Sequence, residues 1–99
     1  MGGKSIALDL DLYPRDVTVS ESPETHLSVI DIDPGLARGA MVFVHGFGGR
    51  ATQWKYQLAE FSSNYRVIAP DLRGHHRSSK PHTRYTVDEL VDDLARVVE

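Results

Sequence analysis

Residues 42–50 read Val-Phe-Val-His-Gly-Phe-Gly-Gly-Arg, a short apolar run that breaks into a glycine-rich loop. A helical pattern follows at once over residues 51–61, with Trp54, Leu58 and Phe61 at i, i+4 and i+7. A strand, a glycine loop and a helix start in that order aim free backbone N–H groups at a negative charge. The glycines can serve only as a tight turn with close helix–strand approach. Alternatively the loop cradles a phosphate, or it stabilises an oxyanion.

The phosphate reading takes the form of a dinucleotide site. Gly46-x-Gly48-x-x-Ala51 fits G-x-G-x-x-A, and Asp71 stands about twenty residues further on, where a ribose-binding carboxylate is required. That fingerprint normally opens the first strand of its domain, whereas two strand patterns precede it here, and it gives His45 no role. His75, His76 and His82 raise a metal reading. They lie in a polar stretch with neither helical spacing nor a matched carboxylate, so they read as solvated and no metal is expected.

Length and composition bound these readings. Ninety-nine residues, 40% hydrophobic and 8% aromatic, describe at most one small globular domain. A formal charge of −3 leaves no basic footprint, so nucleic acid is not an expected partner. The absence of cysteine excludes disulfides and thiolate metal sites. No run has the length of a membrane span and the first residues lack a leader's apolar core, which makes a cytoplasmic protein the default expectation. Met1-Gly2-Gly3-Lys4-Ser5-Ile6 lacks the Ser or Thr that a myristoylation signal needs at Ile6. Gly3-Lys4-Ser5 lacks the upstream glycine and strand of a phosphate loop.

The elements that must hold the loop follow from periodicity. Residues 1–14, with Ile6, Leu8, Leu10 and Leu12 alternating before Pro14, form an arm that is either strand-like or frayed. Val17 and Val19, then Leu27, Val29, Ile30 and Ile32, mark two strands paired antiparallel through residues 21–25, with Asp33-Pro34-Gly35 as the stop. Residues 41–44 read as a strand covered on both faces. Residues 67–69 form the next strand, parallel to it by the crossover rule and closed by Pro70-Asp71. Residues 72–85 are a polar excursion loop. Thr86, with Glu89 three residues on, is a capping box opening a helix whose apolar stripe is Val87, Leu90, Val91, Leu94, Val97 and Val98. This order predicts an α/β sheet with an antiparallel start. Residues 15–99 would be one domain, left incomplete because the helical pattern reaches residue 99 without a stop signal.

His45-Gly46-Phe47-Gly48-Gly49, followed by Pro70-Asp71-Leu72-Arg73-Gly74-His75-His76-Arg77-Ser78-Ser79, closely resembles the α/β-hydrolase superfamily, from about residue 17 to residue 99. The resemblance implies that the loop joins the third strand to the first helix. One of its N–H groups, with the N–H after the nucleophile, would hold the oxyanion of a tetrahedral intermediate. The donor follows the His-Gly pair, which maps it onto Phe47. Gly46 and Gly48 would let the backbone approach the substrate, with Gly49 in support. His45 would orient the loop by hydrogen bonding and not act as the base. Asp71 and Arg73 would brace the next turn through an ion pair and backbone bonds, and Trp54 would be core or pocket wall. No cofactor is implied. The chain departs from the pattern R-G-x-G-x-S at His76, where the family usually has glycine; a positive φ there would cost about 1 kcal/mol.

The family's nucleophile lies in G-x-S-x-G, which does not occur in these residues. The resemblance therefore implies the N-terminal portion of a hydrolase whose nucleophile lies beyond residue 99. The parent would act on an ester or a related small apolar substrate through a serine, or on an epoxide or haloalkane through a carboxylate. The 99 residues alone would be inactive. A non-catalytic ligand-binding or interaction member of the fold is the alternative. The family's strand order places residues 66–69 between 27–32 and 41–44. Strand 41–44, without lysine, proline or bulge, would then be an open edge through which the chain self-associates.

Overall fold

The computed structural model describes residues 9–82 and 85–99. Strands β1 (Pro14–Glu21) and β2 (Glu24–Ile32) form an antiparallel hairpin. Strands β3 (Ala40–Val42) and β4 (Arg66–Pro70) pair in parallel, and β4 pairs antiparallel with β2. The sheet order is β1-β2-β4-β3, the mixed sheet with an antiparallel start that the sequence predicts. β3 is shorter than its apolar run. Phe43 N–H still donates to Ile68 O at 2.8 Å, and beyond it the chain leaves the ladder for the glycine loop.

Alternation along the strands makes two cores. On one face Ile30, Ile32, Val67 and Ala69 pack against Ala51 and the fully buried Leu58. Leu58 belongs to helix α1 (Lys55–Phe61), which continues a 3-10 turn at Ala51–Trp54. Leu10 joins this core from a 3-10 turn at Leu10–Leu12, so the alternation there is a turn and not a strand. Ile6 and Leu8 lie outside the described residues. On the other face Val19, Leu27, Val29 and Ile68 meet Val97 of helix α2 (Val87–Val97).

Helix α2 begins at the predicted capping box. Thr86 Oγ1 accepts Glu89 N–H at 3.1 Å, and Thr86 N–H donates to Glu89 Oε1 at 3.1 Å. Its packing face is narrower than the predicted stripe. Val97 is buried and Leu90 and Leu94 are half-buried, while Val87, Val91 and Val98 are exposed and the charged Asp93 is buried. Residues 41–44 are likewise not covered on both faces. Met41 and Phe43 pack on the α1 side, but Val42 and Val44 remain 40% and 41% exposed.

The turn after β4 has Gly74 at φ 82° and His76 at φ 44°. The departure at His76 thus falls on a left-handed position that favours glycine. His76→Gly is expected to stabilise the chain by about 0.5–1 kcal/mol, measured by urea unfolding; a loss of stability would show that His76 makes a compensating contact.

Asp31 ties three strands together. Its carboxylate accepts from Arg66 Nη2 at 2.7 Å and Nε at 2.9 Å, and from Arg15 Nη2 at 2.7 Å. The Arg66 hydrogen bonds, opposed by burial and helped by Arg15, hold the Asp31 carboxyl below the usual carboxylate range. A folded-state value below the unfolded one contributes stability that is complete above the unfolded value of about 3.9 and disappears as pH falls through the folded value. Asp31→Asn should therefore destabilise at pH 7 and converge with the wild type in strong acid. A constant gap from pH 7 down to about pH 2 would contradict this.

Candidate functional site

Leaving β3, the chain turns over Gly46 and Phe47, closed by Gly49 N–H donating to Gly46 O at 3.0 Å. Two glycines are required for different reasons. Gly48 sits at φ 83°. A Cβ on Gly49 would lie 2.3 Å from Gln53 Oε1 and 3.1 Å from Gly46 O. A Cβ on Gly46 would meet no described atom within 4 Å.

Three contacts tie this loop to the segment leaving β4. Asp71, buried, accepts Ala51 N–H at 2.7 Å, where the start of a helical segment leaves its amides without internal acceptors. His45, also buried, accepts Leu72 N–H on Nε2 at 3.0 Å. An amide can only donate, so the ring proton is on Nδ1, which donates to Gly46 O at 2.6 Å. His75 repeats the pattern: Nε2 accepts Gly48 N–H at 3.0 Å and Nδ1–H donates to Arg73 O at 3.0 Å. Its ring lies 4.9 Å from that of His45 and 5.6 Å from that of Phe47.

Gly46 O therefore accepts two hydrogen bonds, from His45 and from Gly49. It shares a planar trans peptide with Phe47 N–H, which must point the opposite way. Phe47 N–H has no acceptor among the described residues, and the Phe47 ring is 73% exposed. The loop thus presents an oriented donor beside an exposed aromatic ring.

Two expectations are corrected. His75 is not a solvated histidine; it is half-buried and bound to the glycine loop, whereas His76 and His82 are exposed. Arg73 does not pair with Asp71. It reaches α2, with Nε 2.7 Å from Asp93 Oδ2, Nη2 2.9 Å from Asp93 Oδ1 and Nη1 3.4 Å from Glu89 Oε2. Hydrogen bonding to Asp93 raises the Arg73 pKa above its ordinary value, against the opposing effect of burial. Asp71 is held by the helix start, so the ribose ligand of a dinucleotide site is already engaged. The Trp54 and Phe43 rings meet at a 42° tilt with centroids 5.4 Å apart, as part of the core wall.

The sequence reading missed how the excursion loop is fixed. Ser78 Oγ accepts Ser28 N–H at 2.9 Å and donates to Asp71 O, while Ser79 Oγ accepts His26 N–H at 2.9 Å. Adjacent serines in a polar loop carry no periodic signal that would announce such anchors. Among the described residues no group of three or more His, Asp or Glu could hold a metal ion, and no helix is long and apolar enough to cross a membrane.

The family model for the alpha/beta hydrolase fold matches residues 39–99. The chain belongs to this α/β-hydrolase family. An epoxide hydrolase structure from metagenomes of hot environments superposes with a TM-score of 0.75 at 36% identity, over 86% of this chain and 28% of that one. A thermophilic esterase from Thermogutta terrifontis gives a TM-score of 0.68 at 34% identity, over 84% and 30%. Epoxide hydrolase 1 of Caenorhabditis elegans is 41% identical over 61 residues, 60% of this chain and 15% of that protein. This α/β-hydrolase chain thus spans 15–30% of the length of these relatives.

The Arg73–Asp93 pair joins the segment after β4 to α2. Both side chains are almost fully buried. Asp93→Ala strands a buried guanidinium and is expected to cost about 3–5 kcal/mol, whereas Arg73→Met with Asp93→Leu should cost clearly less. Equal losses in urea unfolding would contradict this.

Proposed function

We propose that these residues are the N-terminal part of an α/β-hydrolase and supply one arm of its oxyanion hole, with Phe47 N–H as the donor. The supporting observation is the asymmetry of the loop. Gly48 and Gly49 amides are engaged internally, Gly46 O is held by two donors, and Phe47 N–H is left directed outward. Attack of a nucleophile on an ester carbonyl moves the π electrons onto oxygen, and a donor already in place stabilises that charge without reorganisation. Removing one such donor typically raises the barrier by about 3 kcal/mol.

The nucleophile would lie beyond residue 99, and the substrate is read as an ester or a related small apolar molecule. Similarity to epoxide hydrolases favours a second reading. There a carboxylate opens the epoxide to form an enzyme ester, and its hydrolysis again passes through a tetrahedral oxyanion. The loop serves both.

Under this reading the open side of β3 and the exposed Val42, Val44, Val87, Val91 and Val98 would be covered by the remainder of the fold. Expressed alone, the 99 residues are expected to self-associate through the β3 edge and to hydrolyse no p-nitrophenyl ester above buffer. A compact monomer by sedimentation, or a rate abolished by a serine-directed phosphonate, would overturn the respective expectation. In a longer protein carrying these residues, an amide-to-ester replacement at Phe47 should lower kcat by about 100-fold on its ester or epoxide substrate. An unchanged kcat would reject Phe47 as the donor.

A further inference from the structure

We propose that His75 is a positioning residue of the glycine loop: by accepting Gly48 N–H it holds the Phe47–Gly48 peptide and so keeps the loop rigid on the far side of Phe47 N–H. This rests on the oxyanion reading of Phe47. His75 is 27 residues from Gly48 in sequence.

The geometry makes the contact directional. Phe47 lies between two peptide planes. The Gly46–Phe47 plane is held through Gly46 O by His45 and Gly49. The Phe47–Gly48 plane is held through Gly48 N–H by His75. With both planes fixed, the φ and ψ angles of Phe47 are fixed too, and the loop is held on both sides of that residue. Without His75 the second plane is free to rotate, because Gly48 carries no Cβ to restrict it.

The same geometry fixes the proton. Arg73 O occupies the Nδ1 side as an acceptor, so Nδ1 carries hydrogen and Nε2 offers its lone pair. Adding a proton at Nε2 sets an N–H against the Gly48 N–H, and the contact becomes repulsive. From the glycine loop the titratable neighbour is His45, at 4.9 Å between rings. On its own turn Arg73 is paired with Asp93 and Glu89, and Arg77 with Asp11. At the exit of β4, Asp71 is engaged by Ala51.

Two substitutions separate positioning from packing. Glutamine offers Oε1 at the reach of Nε2 and cannot titrate; leucine fills space and accepts nothing. In a longer protein carrying these residues, Gly48 amide exchange should accelerate about 10-fold or more in His75→Leu and stay near wild type in His75→Gln. In the same protein, His75→Leu should lower kcat about 10-fold or more with KM within twofold, and His75→Gln should restore most of it. Gly48 exchange unchanged by leucine, or glutamine as damaging as leucine in both measurements, overturns the proposal. Should Phe47 prove not to be the donor, kcat would not respond to either change. The Gly48 exchange would still follow the pattern, so the failure of that reading is separable from the failure of this one.

Discussion

The site depends on one peptide plane. Gly46 O accepts from a histidine side chain and from a backbone amide, and a planar peptide then leaves Phe47 N–H no freedom to point inward. Two hydrogen bonds on the carbonyl also polarise the amide, which strengthens its N–H as a donor. Both effects weaken if His45 is mobile, because Gly49 N–H is then the one remaining donor to Gly46 O among the described residues. Its burial and its bond from Leu72 N–H therefore belong to the site, although His45 offers no free nitrogen for acid–base chemistry.

That constraint reaches the rest of the fold through the adjacency of β3 and β4. A right-handed crossover places the two strands side by side in parallel, so their carboxyl ends emerge together. One end becomes the glycine loop and the other the segment from Asp71 to His75. Ala51, His45 and Gly48 are each joined to that segment by a single hydrogen bond of 2.7–3.0 Å. The segment is itself clamped to α2 by Arg73 and to β2 by Ser78. Phe47 N–H, without an acceptor among the described residues, thus sits between His45, Gly48, Gly49, Ala51 and Leu72, whose polar groups are paired.

Much of this was legible in the residues. Short apolar runs, the turn at Asp33-Pro34-Gly35 and the Thr86–Glu89 box located the elements, because each rests on local periodicity or local hydrogen bonding. The unusual backbone at His76 could be anticipated from a glycine-bearing pattern. What escaped was non-local. Asp93 reads as a polar position on an amphipathic helix, and only Arg73, 20 residues away, explains its burial. Asp71 and Arg73 are two apart and of opposite charge, yet their side chains leave the strand end in different directions and find different partners. His75 sat among three histidines in a polar stretch, where no spacing distinguishes an acceptor for a distant amide from a solvated ring. The breadth of the α2 stripe misled in the other direction, since apolar periodicity marks what a helix can bury and not what covers it.

Site-resolved amide hydrogen exchange of the glycine loop tests the arrangement most directly, because it reads each N–H separately. Gly48, Gly49, Ala51 and Leu72 amides are expected to be protected, each having an acceptor in place. Phe47 amide is expected to exchange at the rate of an open peptide while its neighbours do not. Protection at Phe47 equal to that of Gly48 and Gly49 would mean that its N–H is already bonded within the protein, and the loop would then have no donor to offer an oxyanion.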